Sequence, residues 1–188
     1  MPVKNNKIQV IEGINPSNIT EQYLNSVTPI LLKGFANNWS LVTAAKCSDN
    51  EAIDYLKNYY KGFLVNTCHL SSKQNGVISF NQQMPSFNFT NHSQDFISSL
   101  RTITELNEQN GTLYIGSTSI RQCLPELVQT CQVANVPTAA LFNVWAGGKV
   151  TIPAHYDVAQ NLACCVMGKR RFTLFPPEQV DNLYIGPI

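Results

Sequence analysis

The stretch from Asn143 to Pro177, NVWAGGKVTIPAHYDVAQNLACCVMGKRRFTLFPP, most constrains what this chain can be, because it sets a His-x-Asp pair between two runs of β-forming residues. Along a strand, side chains two apart share a face, so His155 and Asp157 point the same way and can bind one ion, with Tyr156 turned to the other side. An imidazole and a carboxylate are two of the three ligands of the 2-His-1-carboxylate triad, which holds Fe(II) and leaves positions open for cosubstrate and oxygen. The third ligand must come from elsewhere in the sequence.

Bulk composition narrows the rest. A length of 188 residues suits a single domain with a sizeable core. Thirteen basic residues stand against twelve acidic ones, net charge +1, and the longest basic run is the triplet Lys169-Arg170-Arg171, so no nucleic-acid partner is expected. The start, MPVKNNKIQVIEG, has neither the apolar core nor the cleavage site of a secretory signal. No apolar run approaches the ~20 residues needed to span a bilayer. A cytoplasmic protein with no membrane partner is expected. Six cysteines, at 47, 68, 123, 131, 164 and 165, form no C-x-x-C and read as reduced thiols filling core space.

Earlier in the chain, Lys7 to Glu12 and Thr28 to Gly34 read as strands, with a short helix capped near Asn15 and running through Tyr23 and Leu24 between them. Trp39 sits in the following loop as a core or lid aromatic. Ser48 with Glu51 is a capping-box pattern ahead of apolar residues at helical spacing. Phe63 to Leu70 alternates as a strand carrying His69, Gln74-Asn75-Gly76 signals a hairpin before Val77 to Phe80, and Asn81 to Asn91 reads as an irregular loop followed by His92 in a loop or cap. Ser93 to Leu106 has the apolar spacing of a second helix. Thr112 to Ser117 reads as a strand, Leu124 to Leu127 opens a short helix, Ala139 to Trp145 is a strand, and Ala146-Gly147-Gly148 is a tight turn into the His155 strand.

The wording PAHYD, then QN, then MGKRRFTLFPPEQ and LYIGP, in that order and spacing, resembles the cupin-like JmjC family of Fe(II)- and 2-oxoglutarate-dependent oxygenases. The likeness covers about Leu113 to the C-terminus, with looser agreement before it. It implies an α+β, mainly β fold: a double-stranded β-helix (cupin or jelly roll) with N-terminal helices packed on the sheet. On this reading residues 1–188 are one domain, with an α/β part over 1–110 and the first jelly-roll strands over 111–188.

The resemblance also implies a chemistry. His155 and Asp157 would be the metal ligands, Fe(II) the metal and 2-oxoglutarate the cosubstrate, and the reaction would hydroxylate a protein or peptide side chain or a small molecule. Tyr114 resembles the tyrosine that touches 2-oxoglutarate, though packing in the core explains it equally well. Asn161 matches an asparagine near the cosubstrate. Counted from Asp157, the lysine that binds the 5-carboxylate falls on Arg170, whose planar fork suits bidentate carboxylate binding; a solvated basic edge is the other reading of that triplet. Ile152 occupies the place of a family threonine, and Thr151 is the hydroxyl that can serve after a local shift. The alternative to an enzyme is a cupin-like metal-binding or structural module without turnover.

In the family the second metal histidine lies downstream of the His-x-Asp pair, yet residues 158–188 contain no histidine. The expectation is therefore a chain lacking the C-terminal half of the barrel, an N-terminal portion of a longer oxygenase or a truncated product. Alone it should bind Fe(II) weakly. A homodimer exchanging strands is one way to cover the open edges.

Overall fold

Two short parallel strands, β1 (Gln9–Ile11) and β2 (Ile30–Leu32), open the described part of the chain and pair in register Gln9 to Ile30. The structure, a computed structural model, describes residues 7–81, 86–107 and 109–183. From residue 184 onward the LYIGP stretch, and residues 82–85 of the loop expected at Asn81 to Asn91, fall outside these residues.

Between β1 and β2, Asn15 does not cap a helix. Its Oδ1 accepts from the Ser17 N–H at 2.9 Å, closing an Asx turn, and α1 (Glu21–Leu24) starts only after Thr20. Trp39 then leads α2 (Ser40–Cys47), a helix the sequence reading missed. At 7% exposure Trp39 is a core aromatic. Ser48 does cap: its side chain accepts from the Glu51 N–H at 3.1 Å and starts α3 (Asp49–Lys57), which buries Ala52, Ile53 and Leu56 on one face. Ser48→Ala is expected to destabilise the fold by about 1 kcal/mol, read as a lower midpoint in urea unfolding with an unchanged slope.

The main sheet has the order β4-β3-β5-β6 and is antiparallel throughout. Its members are β3 (Leu64–Leu70), β4 (Thr90–Asp95), β5 (Thr112–Ser119) and β6 (Asn143–Gly147). Helix α4 (Phe96–Glu105) starts at Asp95, whose carboxylate accepts from the Ser98 N–H at 2.8 Å. The expected helix start at Ser93 is thus corrected: Ser93 to Asp95, with His92, belong to β4. Val65, Leu113 and Ile115 on one face of the sheet join Phe96, Ile97 and Leu100 of α4 and the apolar face of α3 in the core. Phe96 is fully buried, worth roughly 1.5–3 kcal/mol of transfer free energy. Two short helices, α5 (Ile120–Cys123) and α6 (Leu127–Thr130), close one end, adding buried Cys123, Leu124, Leu127 and Cys131. All six cysteines are free thiols. Burial pushes those of Cys123 and Cys164 up to about 11.

The hairpin expected at Gln74-Asn75-Gly76 is a turn of another kind. Asn75 and Gly76 take positive φ, +48° and +73°, but Val77 pairs with Thr151 as a parallel bridge, while Phe80 bridges Phe87. Both edges of β3 are already occupied by β4 and β5, so no ladder is left for Val77 to Phe80. A Cβ at Gly76 would collide with the carbonyl of Lys149, so the turn needs glycine there.

Residues 152–176 correct the largest expectation. His155 and Asp157 do not sit on a strand; beyond Thr151 the described chain has no regular structure until a 3-10 turn at Pro177–Asn182. A strand exists only where a neighbour completes its hydrogen-bond ladder, and β6, the last sheet strand, pairs with β5 rather than with this segment. Val158, Phe172, Leu174 and Phe175 are exposed accordingly. What stands as the architecture is an antiparallel, jelly-roll-like sheet with helices packed on one face, an α+β cupin-like fold. No helix among the described residues is long and apolar enough to cross a membrane.

Candidate metal centre

His155 and Asp157 face each other although no strand holds them. The ring Nδ1 of His155 lies 2.8 Å from the Pro153 carbonyl oxygen. A carbonyl only accepts, so Nδ1 donates, and Nε2 is the ring nitrogen left toward Asp157. That Nε2 is 4.0 Å from Oδ1 of Asp157, close enough for one cation to touch both. The second carboxylate oxygen, Oδ2, accepts from Asn161 Nδ2 at 2.9 Å. Both side chains are more than half exposed, 61% and 59%. Pro153 as a second partner was not legible in the sequence, because any residue supplies a backbone carbonyl.

The donor chemistry fits an Fe(II) ion in part. One imidazole nitrogen and one carboxylate oxygen are what the triad takes, and a histidine tethered through its other nitrogen is the usual arrangement around a metal. Among the described residues, however, no group of three His, Cys, Asp or Glu gathers at one place. The remaining histidines meet each other: His69 and His92 stack edge to face at 4.7 Å. His69 Nε2 lies 3.1 Å from both Thr67 Oγ1 and Gln94 Oε1. His69 is thus half-buried on β3 and His92 exposed on β4.

The expected cosubstrate residues divide. Tyr114 is half-buried on β5, opposite Gly147 of β6. A Cβ on Gly147 would come within 2.9 Å of the Tyr114 ring, so the glycine read as a turn instead ends a strand and makes room for that ring. Burial pushes the Tyr114 phenol up, and the positive charge of Arg170 pulls it partly back. The Arg170 guanidinium also lies over the Phe172 ring, 5.0 Å from its centre. Thr151 is tied by its backbone to the 76–78 segment: its N–H donates to the Gly76 carbonyl at 2.8 Å and its carbonyl accepts from Ile78 at 3.1 Å. A cavity of about 640 Å³ is walled by His69, Thr90, Phe87, Phe89 and Asn88 among others, and neither His155 nor Asp157 lines it.

Over 206 aligned residues the chain is 25% identical to JmjC domain-containing protein D of Dictyostelium discoideum, with 95% of the chain and 42% of that protein covered. It is 40% identical over 57 residues to Jumonji C domain-containing protein 5 of Drosophila melanogaster, covering 29% of the chain and 14% of the relative. A 40-residue stretch is 45% identical to tRNA wybutosine-synthesizing protein 4 of Aspergillus oryzae, 21% of the chain and 4% of that protein. The chain spans less than half the length of each of these relatives. The profile of the cupin-like domain runs across residues 16–188, through the helical layer, the sheet and the His155 segment alike, and on that breadth the chain belongs to the cupin-like family, together with JmjC-type proteins.

Proposed function

We propose that this chain carries the His-x-Asp half of an Fe(II)- and 2-oxoglutarate-dependent oxygenase site, acting on a protein or peptide side chain or on a small molecule. One observation carries the reading: the Pro153 tether turns His155 Nε2 toward Asp157 Oδ1, 4.0 Å away, inside a segment that the cupin-like profile covers. Fe(II) with 2-oxoglutarate would supply, when bound, the reduction of dioxygen: one oxygen atom ends in the succinate left as 2-oxoglutarate loses carbon dioxide, and the other in the hydroxyl group placed on the substrate. His155 and Asp157 hold the cation, and the carboxylate offsets part of its charge. Arg170 pairs with the far 5-carboxylate of the cosubstrate, and Tyr114 offers its phenol to the same ligand. Thr151 is a further hydroxyl for the cosubstrate.

A second reading is favoured by the exposure of both ligands and by the lack of a third one gathered with them among the described residues. On that reading the chain is a cation-binding cupin-like module without turnover. Anaerobic titration with Fe(II) and 2-oxoglutarate separates the two. Growth of the weak visible charge-transfer band is expected for the oxygenase site. A folded protein that binds Fe(II) yet shows no band on adding 2-oxoglutarate supports the module.

A further inference from the structure

The cavity of about 640 Å³ opens beside α4, away from the face of the sheet that carries Tyr114. His69 of β3, which lines it, pairs with Leu113 of β5, whose side chain joins the core against α4. Tyr114 is the next residue along β5 and so turns to the opposite face. Thr102 and Leu106 of α4 also line the cavity. What binds there is therefore independent of the oxygenase reading.

We infer that this cavity is a binding site for an uncharged sugar. None of the described residues lining it is Lys, Arg, Asp or Glu, so its walls offer no counter-charge to an ionic ligand. Its volume falls within the roughly 300–1,000 Å³ of small-molecule sites. One wall is aromatic. Phe80, Phe87 and Phe89 form a near-parallel stack, with ring centres 5.0 and 4.9 Å apart and planes tilted by 24° and 20°. Phe87 is the middle ring, so both its faces are taken and it meets the cavity with its edge, whereas Phe89 is an end ring and keeps one face outside the stack. The face of a phenyl ring is electron-rich and its edge electron-poor. The C–H groups on one side of a pyranose are polarised by the oxygens beside them and suit the face, while the oxygens themselves suit the edge.

Most of the other lining residues carry an amide or a hydroxyl, and part of their hydrogen-bonding capacity is unspent. Asn110 Oδ1 accepts from the Asn107 N–H at 2.7 Å, and Gln74 Oε1 accepts from the Ser71 hydroxyl, while Asn110 Nδ2 and Gln74 Nε2 have no partner among the described residues. Asn81 is the reverse. Its Nδ2 donates to Ser86 Oγ at 3.0 Å and to the Phe87 carbonyl at 2.9 Å, and its Oδ1 stays open. Open donors and an open acceptor together match hydroxyl groups, which both donate and accept. They also stand on three separate segments, the 72–74 turn, the loop before β4 and the turn before β5. A sugar carries hydroxyls all round its ring, whereas a flat nucleobase offers hydrogen-bonding groups only along its edge.

The test is calorimetric titration of the full chain with four uncharged probes, the methyl glycosides of glucose, galactose and mannose, and N-acetylglucosamine, with adenosine and uridine alongside. At least one sugar is expected to bind with a Kd of about 1 mM, the scale of a small ligand held by a few contacts. Two variants place that binding in the cavity, with circular dichroism as the fold check. Phe89→Leu keeps apolar bulk but loses the flat face, and Asn110→Asp keeps the oxygen that Asn107 uses but loses the Nδ2 donor. Each should weaken the sugar by about fivefold or more. Asn110 is exposed on a turn, so its variant reads the site even if Phe89→Leu disturbs the fold. No saturable binding of any of the four sugars below about 50 mM, binding of the nucleosides alone, or sugar binding that either folded variant leaves unchanged overturns the inference.

Discussion

His155→Ala is expected to remove divalent-cation binding from this chain without unfolding it, and Asp157→Ala to do the same. With both side chains more than half exposed, neither truncation opens a cavity, so the packing cost that makes core substitutions expensive is absent. What is lost is one of two donors, and a single exposed imidazole or carboxylate holds a divalent ion weakly in competition with water. The loss in affinity should exceed the roughly 10- to 100-fold effect of removing a mere orienting partner. Anaerobic calorimetry with Fe(II), with Mn(II) as a control, reads the affinity, and the urea midpoint reads the fold. Either variant binding like the unsubstituted chain would place the cation elsewhere, and the edge-to-face pair His69 and His92 is the next place to substitute.

Legibility varied along the chain for identifiable reasons. Ser48 and Glu51 sit in a local pattern whose physics is complete within one turn, and the helix they announce starts there. The apolar stripe of Phe96, Ile97 and Leu100 likewise marks α4, but its start could not be read, because Ser93 and Gln94 are polar and fit a strand or a helix equally. β4 itself, TNHSQD, has no apolar alternation; it is a strand because β3 offers it an edge, a tertiary fact. The turn at Asn75-Gly76 was legible as a turn, while its partner was not: a bridge to Thr151, far along the sequence, won over the neighbouring strand.

The site shows the same division. That His155 and Asp157 share a side was derived from strand alternation, yet they meet through local hydrogen bonds to Pro153 and Asn161 in a segment with no ladder. The two side chains do face each other, but through local hydrogen bonds and not through strand alternation. Tyr114 was left between core and cosubstrate, and its half-buried place against Gly147 suits both.

Arg170 gives the second large effect. Arg170→Ala should weaken 2-oxoglutarate binding by more than about 2 kcal/mol, the lower end for truncating one partner of a hydrogen-bonded charge pair, which is roughly thirtyfold in Kd. Affinity for Fe(II) should not change, because the guanidinium is not a ligand and lies over Phe172. The reason to expect Arg170 rather than its neighbours is its spacing from Asp157, which puts it where the resemblance places the cation for the 5-carboxylate. Arg170→Lys should keep part of the affinity, since a point charge replaces the ion pair but not the bidentate fork. A titration of the Fe(II)-loaded protein with 2-oxoglutarate reads all three proteins on one scale. Equal affinity in the unsubstituted chain and Arg170→Ala would show that the 5-carboxylate finds another cation, and Arg171 is then the one to replace.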